Sequence, residues 1–165
     1  MSDQSVDPSA TPESYRHIVL AQVMLPADAN AQGDVHGGTL MKLADTAGAI
    51  AAVRHARRRV VTAIADSMTF EYPVKVGDLV LLDAEVSWVG RTSIEVQVSI
   101  AAERVVTGER RRTSLAYFVY VALGDDGSPH PIPPLELRTD ADRARFAQAE
   151  ERRRFRLAQR SQHRL

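Results

Sequence analysis

The pattern of apolar and polar positions divides the chain into one strand, one helix and a run of four strands. Apolar residues at His17–Leu25 predict the first strand, and a turn-rich loop, PADANAQGDVHGG, follows it. Helical spacing of apolar residues then runs from about Gly38 to His55. Strand-like stretches with short turns between them follow at residues 58–74, 79–89, 92–103 and 109–123.

This order of elements predicts an α+β architecture. Short turns between consecutive strands imply antiparallel pairing, because parallel strands need a long crossover connection. A single helix can cover only one face of such a sheet. The edges and the other face therefore stay uncovered unless another segment or another chain packs on them. We therefore expect one helix packed on an antiparallel sheet.

The two ends of the chain differ in composition from this core. Residues 1–14 are rich in Ser, Asp, Pro and Thr, which predicts a disordered N-terminal tail. We expect the core domain at 15–134 and a basic helical extension at 135–165, where nine arginines accompany five acidic residues. The apolar residues of the extension align poorly on one helical face. The extension is therefore expected to be solvated or to stabilise an oligomer, with an extra phosphate contact as the remaining possibility.

Composition excludes several classes of protein. The 165 residues suffice for one domain, and the absence of cysteine excludes disulfides, a thiolate nucleophile and cysteine-ligated zinc. No apolar run approaches the roughly 20 residues of a membrane span, and the N-terminus carries no apolar signal core, so we expect a cytoplasmic protein without a membrane span. The net charge is zero and aromatic residues do not alternate with the arginines, so nucleic acid is not an expected partner.

One acidic residue, Asp45, interrupts the predicted helix. On a helical wheel, one apolar stripe is expected to face the sheet, and it consists of Leu40, Leu43, Ala44, Ala47, Ile50 and Ala51. Asp45 falls on the opposite side, together with Met41, Gly48, Ala49 and Ala52. Small residues allow a second backbone to come close, so this side is expected to face a second copy of the chain.

The start of the helix carries groups that complement a carboxylate. Gly37 and Gly38 follow His36 there, and glycines leave the first helical N–H groups open to a ligand such as a carbonyl oxygen. Asp45 lies roughly 10 Å further along the helix axis, at 1.5 Å per residue. Two antiparallel helices across a two-fold axis would bring the start of one beside Asp45 of the other. The alternative is that Asp45 only caps, or makes an ion pair or hydrogen bond at an interface.

Three segments together resemble a known family. NAQGDVHGGTLMKLAD, VVTAIADSMTFEYPVKVGD and VGRTSIEVQV are similar to segments of the hotdog-fold acyl-CoA thioesterases, specifically the bacterial acyl-CoA hydrolases related to the brain-type acyl-CoA hydrolase. The resemblance runs from about Ser14 to Pro134. It implies a hotdog fold, in which an antiparallel sheet wraps a long central helix, and a homo-oligomer that is at least a dimer and often a trimer of dimers. It also implies hydrolysis of acyl-CoA to free CoA and a carboxylic acid, with no metal or cofactor required.

The same resemblance implies which residues form the catalytic site. The family's catalytic aspartate corresponds to Asp45, its paired asparagine to Asn30 of the other protomer, and its helix-start glycine to Gly37 or Gly38. Asp45 would activate water as a general base or attack directly to form a mixed anhydride, and both mechanisms stay open. The glycine amides would bind the thioester oxygen, while Asn30 would position the water or the carbonyl.

Five residues are candidate contacts to CoA. In the VGRTS turn, Arg91 suits a phosphate because its guanidinium is forked, and Thr92 and Ser93 offer hydroxyls. A plain hairpin turn with a solvated arginine is the alternative. His36 is either a contact to the pantetheine arm or a simple loop residue, and strand burial explains Ser67 as well as CoA binding does.

Other functions also fit parts of this pattern. A non-catalytic acyl-CoA binding or sensing protein would use the same pocket, and the phenylacetate-type thioesterases share the HGG and LAD motifs. The hotdog dehydratases pair a histidine with an aspartate-bearing helix, but their proline-rich surroundings are missing around His36. The presence of both Asn30 and Asp45 favours the hydrolase.

Overall fold

The computed structural model describes residues 17–162, except for the side chains of 160–162, and this part of the chain forms one antiparallel sheet and two long helices. The tail predicted at 1–14 lies outside the described residues. In chain order, the elements are β1 (His17–Val23), α1 (Gly37–Ala56), β2 (Val60–Phe70), β3 (Leu79–Val89), β4 (Ser93–Arg104), β5 (Glu109–Ala122) and α2 (Asp140–Gln162). The predicted α+β order is confirmed.

The five strands follow the order β1-β3-β4-β5-β2, and every neighbouring pair is antiparallel. The hairpin-connected strands β3, β4 and β5 form the centre, while β1 and β2 flank α1 in sequence and occupy the two edges. β2 carries two register shifts against β5, one between Thr62 and Ile64 and one between Ala65 and Ser67. Such bulges bend a strand and redirect the side chains beside them.

Both ends of α1 are capped locally. The His36 side chain accepts a hydrogen bond from the Gly38 N–H at 2.9 Å, as an N-cap residue does. Arg57 closes the other end in the left-handed conformation, with φ of 54°, and its N–H bonds to the Val53 carbonyl at 2.8 Å. These caps fix the helix bounds close to the predicted ones.

The face of α1 that packs on the sheet consists mainly of small residues. Its buried residues are Leu40, Ala44, Ala47, Gly48, Ala51, Ala52, His55 and Ala56. The prediction was wrong for Gly48 and Ala52, which are buried, and for Ile50, which is 41% exposed. The helix is rotated toward its small residues because the Tyr120 ring fills the space next to Gly48, where a Cβ would lie 2.3 Å from the tyrosine oxygen.

The second helix, α2, lies across the opposite face of the sheet, so the expectation of a solvated extension is wrong. Arg152 contacts Glu95 at 2.7 Å, and Arg156 contacts both Glu95 at 2.9 Å and Asp66 at 2.6 Å. Glu95 is completely buried and also accepts a 3.0 Å hydrogen bond from Ser87. Hydrophobic periodicity could not indicate these ion pairs, because charged side chains form them.

Three further contacts fix α2 on the sheet. The rings of Trp88 and Phe146 have centroids 6.4 Å apart, and Arg145 pairs with Glu85 at 2.6 Å. The Arg152 guanidinium also lies 3.9 Å from the centroid of the Tyr117 ring. The helix therefore connects side chains of β2, β3, β4 and β5 on the face that α1 leaves uncovered.

Candidate functional site

The Asp45 carboxylate is half-buried between the middle of α1 and the sheet. Its Oδ1 accepts hydrogen bonds from the Thr62 hydroxyl at 2.8 Å and from the Tyr120 hydroxyl at 3.2 Å. Among residues 17–162, no group donates a hydrogen bond to Oδ2. One carboxylate oxygen is thus anchored by the protein, while the other is available to water or a ligand.

Sheet register explains why these two hydroxyls meet Asp45. Thr62 pairs with Tyr120, and Tyr120 pairs with Ile94 on the other side, so the three residues form one row across the sheet. Directly paired residues of an antiparallel ladder point to the same face. Ile94 and Tyr120 are buried in the core under α1, so Thr62 at the edge also points toward the helix.

Tyr120 is a neutral donor in this site. Burial raises the pKa of Tyr120 well above its usual value, and the charge of the Asp45 carboxylate raises it further. The phenol therefore keeps its proton at physiological pH. It can donate a hydrogen bond to Oδ1 of Asp45 or to the main-chain oxygen of the same residue. Its hydroxyl lies 2.9 Å from the Asp45 backbone carbonyl oxygen, in addition to the Oδ1 contact.

The helix start presents one amide rather than two. The Gly38 N–H is already bonded to His36 Nδ1, so it is paired within the chain. The Gly37 N–H has no acceptor among residues 17–162. A Cβ at Gly37 would lie 3.4 Å from the Phe70 ring, so β2 closes one side of this amide. Of the two predicted glycines, only Gly37 has an N–H without an acceptor in the described part of the chain.

Asn30 organises the loop that precedes α1. Its Oδ1 accepts hydrogen bonds from the N–H groups of Gln32 at 2.9 Å and Asp34 at 3.2 Å, which is an Asx-type turn. Asp34 forms an ion pair with Lys75 in the segment between β2 and β3. Within the described part of one chain, no hydrogen bond joins Asn30 to Asp45.

The predicted CoA turn forms the hairpin between β3 and β4. The Gly90 N–H donates to the Ser93 carbonyl at 2.8 Å, and Arg91 is exposed at the tip. Ser93 pairs with Val121, the residue after Tyr120, so the hairpin begins one step beyond the row that holds Asp45. Thr92 is half-buried, and its carbonyl accepts a hydrogen bond from Ala122 at 2.9 Å.

A basic cavity lies at the same end of the sheet as this hairpin. It has a volume of about 350 Å³, and three arginines at the end of α1, Arg57, Arg58 and Arg59, outnumber the one acidic residue of its lining, Asp125. The Arg59 carbonyl bonds to Leu123 after β5, which places these arginines beside the last residues of that strand. Positive charge is therefore concentrated on the side of the molecule where Arg91 also lies.

Ser67 lies apart from the other candidates. It pairs with Tyr117, whose ring is covered by Arg152 of α2, so Ser67 belongs to the face opposite α1. The preceding residue, Asp66, sits at the second bulge of β2 and pairs with Arg156 of the same helix. Within one chain, the structure does not bring Ser67 to Asp45.

Thr62 and Tyr120 are the site residues that sequence reasoning missed. Strand alternation could have shown that Thr62 faces α1, but the bulge next to it obscures that count. The described residues contain no group of three or more His, Asp or Glu side chains that could hold a metal ion. No helix within residues 17–162 is long and apolar enough to cross a membrane.

Comparison with known proteins places the chain in a family. Residues 32–109 match the model of the thioesterase superfamily. The chain is 42% identical to the acyl-CoA thioester hydrolase YciA of Salmonella typhimurium over 119 residues, which cover 70% of this chain and 90% of the relative. It is 33% identical to the mouse cytosolic acyl coenzyme A thioester hydrolase over 89% of its own length, but it spans only 40% of that protein.

Solved structures agree with the sequence relatives. An acyl-CoA hydrolase from Staphylococcus aureus, solved with butyryl coenzyme A and coenzyme A, superposes with a TM-score of 0.83 at 34% identity, covering 90% of this chain and 91% of that one. An apo-hexameric acyl-CoA thioesterase gives 0.86 at 32% identity, covering 92% and 96%. The chain therefore belongs to the thioesterase superfamily, within its acyl-CoA thioester hydrolases, and the expected hotdog fold is confirmed.

Proposed function

We propose that this chain hydrolyses acyl-CoA thioesters to free CoA and a carboxylic acid, with Asp45 as the reacting carboxylate. The observation that carries this proposal is the half-buried Asp45, with Oδ1 anchored by Thr62 and with Oδ2 accepting no hydrogen bond from the described groups. A carboxylate held by one oxygen can present the other in a fixed direction, as a base or nucleophile requires. The names of the Salmonella and Staphylococcus relatives support the reaction.

The chemistry needs a base or nucleophile and a donor for the oxyanion. Asp45 either removes a proton from a water molecule that attacks the thioester carbon, or attacks that carbon itself to form an anhydride that water then cleaves. In both routes the C–S bond breaks, and CoA leaves as a thiolate that takes up a proton. The Gly37 N–H at the positive end of a helix stabilises the negative charge that develops on the carbonyl oxygen.

This site requires two copies of the chain. Gly37 and Asp45 are eight residues apart on one helix, and about 12 Å of helix axis separates them at 1.5 Å per residue. An antiparallel pair of α1 helices brings Gly37 and Asn30 of one protomer to Asp45 of its partner. The exposed residues of α1 favour this contact, since Met41, Ile50 and Val53 are each 41% exposed. The hexameric relatives support a homohexamer built from such dimers.

Variants of the Staphylococcus aureus hydrolase support this choice of residues. That enzyme has been solved with an asparagine, an aspartate or a threonine replaced by alanine, and these positions are 15 and 17 residues apart. In the present chain, Asn30, Asp45 and Thr62 are separated by the same 15 and 17 residues. We therefore add Thr62 to the proposed site as the residue that orients the Asp45 carboxylate.

CoA binds, in this proposal, along the end of the sheet that carries the β3–β4 hairpin. Arg91 pairs with phosphate, while Thr92 and Ser93 bond to the nucleotide portion through hydroxyl or main-chain groups. His36 and Ser67 complete the set of CoA contacts across protomers. No cofactor takes part in the reaction, and we expect it to occur in the cytoplasm, as the name of the mouse relative suggests for that protein.

A thiol-release assay tests the proposed function. Free CoA is detected with DTNB while the wild type and Asp45→Ala are supplied with acyl-CoAs from acetyl to palmitoyl. The proposal predicts rapid release by the wild type, no release above background by the variant, and the same oligomer for both in light scattering. If no substrate is cleaved but acyl-CoA binds in calorimetry, the chain is a binding or sensing protein instead.

A further inference from the structure

Tyr120 has the largest fully buried side chain of the described residues, and its one polar group points at Asp45. The hydroxyl lies 2.9 Å from the Asp45 main-chain oxygen and 3.2 Å from Oδ1 of the same residue. A phenol has a single proton to donate, so the two oxygens share it. The tyrosine thereby links the backbone of the helix to the side chain that the helix carries.

The helix makes room for this hydroxyl with a glycine. Gly48 lies one turn after Asp45, and a Cβ there would be 2.3 Å from the Tyr120 oxygen and 3.1 Å from Cζ. Glycine in a helix interior lowers the stability of the helix relative to alanine. This loss of helix stability falls at the position where the Tyr120 oxygen approaches the turn of α1 that carries Asp45. Phe118 supports the ring from the same strand, at 6.3 Å between centroids.

We infer that Tyr120 is a positioning residue for the hydrolysis. Its hydroxyl holds the Asp45 carboxylate in one rotamer, and the missing side chain of Gly48 leaves room for that hydroxyl. The inference rests on the proposed function. Thr62 reaches Oδ1 from the edge strand and Tyr120 reaches it from the adjacent strand. With Oδ1 held from two strands, rotation of the carboxylate is restricted and Oδ2 stays directed toward the reacting water or carbonyl carbon.

The expected signature is a loss of turnover without a loss of substrate affinity. Tyr120 touches no substrate in this arrangement, so its hydroxyl contributes only through Asp45. A hydrogen bond to a charged group contributes roughly 1.5–3 kcal/mol, so its loss corresponds to a fall in kcat of roughly ten- to a hundredfold. KM for the same acyl-CoA is expected to stay within about twofold, because the substitution removes no contact between the protein and the substrate.

The test compares steady-state kinetics of three variants with the wild type. Tyr120→Phe removes only the hydroxyl and keeps the ring in the core. Gly48→Ala keeps the hydroxyl but displaces it, and is expected to lower kcat as well. The double variant is expected to be no slower than Tyr120→Phe alone, because the hydroxyl that Gly48→Ala would displace is already absent. Tyr117→Phe, on the opposite face of the sheet, is the matched control and is expected to retain wild-type kcat.

The outcomes separate this inference from the proposed function. If the wild type releases no thiol, the proposed hydrolysis fails, and the positioning role fails with it. If the wild type is active, a folded Tyr120→Phe or Gly48→Ala protein with wild-type kcat overturns the positioning role alone. A parallel rise in KM and fall in kcat would assign Tyr120 a general structural role and would also overturn it.

Discussion

The Thr62 hydroxyl lies 2.8 Å from Oδ1 of Asp45, which joins an edge strand to the middle of the central helix. Thr62 is the residue just before the first bulge of β2, so the strand leaves the regular register right after making this contact. In the proposed hydrolysis, we assign the threonine the role of holding the carboxylate through this hydrogen bond.

Replacing Thr62 by valine is expected to lower kcat roughly tenfold or more, because the charge-assisted hydrogen bond to Asp45 is lost while the side-chain volume is kept. Thr62→Ser retains the hydroxyl and is expected to stay within about threefold of the wild type. Thr69→Val, further along β2, is the matched control because Thr69 bonds only weakly, at 3.5 Å, to the Leu115 carbonyl. Equal rates for Thr62→Val and Thr69→Val would contradict the assigned role.

A site shared between protomers predicts complementation between two inactive variants. When Asp45→Ala and Asn30→Ala chains with different tags are co-expressed, a mixed dimer contains one site with both defects and one intact site. The doubly tagged protein is therefore expected to regain up to about half of the wild-type activity per dimer. If each site were formed by a single chain, every site would carry one defect and the mixed protein would stay inactive.

Arg91 is expected to affect the binding of CoA and not the chemical step. Arg91→Ala is predicted to raise KM for acyl-CoA roughly tenfold through loss of a phosphate contact, with little change in kcat. An acyl-N-acetylcysteamine thioester carries no nucleotide, so its cleavage is expected to be the same in both proteins. Arg110→Ala, which removes an exposed arginine at the far end of β5, serves as the control. An equal effect on both substrates would place Arg91 outside the CoA site.

The charged contact between α2 and the sheet is expected to stabilise the fold. Glu95→Gln leaves Arg152 and Arg156 without the buried carboxylate that compensates them, at a cost of about 3 kcal/mol in the free energy of unfolding. Glu151→Gln is the matched control, because Glu151 and its partner Arg154 are 71% and 74% exposed and 4.0 Å apart. Its cost is expected to stay below about 0.5 kcal/mol. Equal denaturation midpoints for Glu95→Gln and Glu151→Gln, measured at one protein concentration, would show that the α2 contact contributes little to the free energy of unfolding.

Much of this fold could be predicted from local patterns. The bounds of α1 and of the central strands follow from apolar periodicity and turn residues, and those signals are local in sequence. Asp45 could be identified as a candidate because a carboxylate is unusual in a helical stretch of otherwise small and apolar residues. The confirmed family resemblance rests on the same motifs around Asn30, Asp45 and Arg91.

The features that sequence could not provide depend on contacts between distant segments. The helix turns Gly48 toward the sheet because Tyr120, 72 residues later, needs that space. Bulges in β2 change which side chains share a face, and they leave no signal in a strand pattern. The docking of α2 depends on Glu95 being completely buried near the start of β4, although a charged strand residue is more often expected to face solvent.

The central claim is that the Asp45 carboxylate performs the hydrolysis, and kcat/KM of Asp45→Asn for the preferred acyl-CoA tests it most directly. Asparagine keeps the size of the side chain and an oxygen that Thr62 can bond to, but it is neither a base nor a carboxylate nucleophile. We predict a fall of at least about a thousandfold, the scale seen when an essential catalytic group is lost, with an intact oligomer. Activity within tenfold of the wild type would contradict the assignment of Asp45.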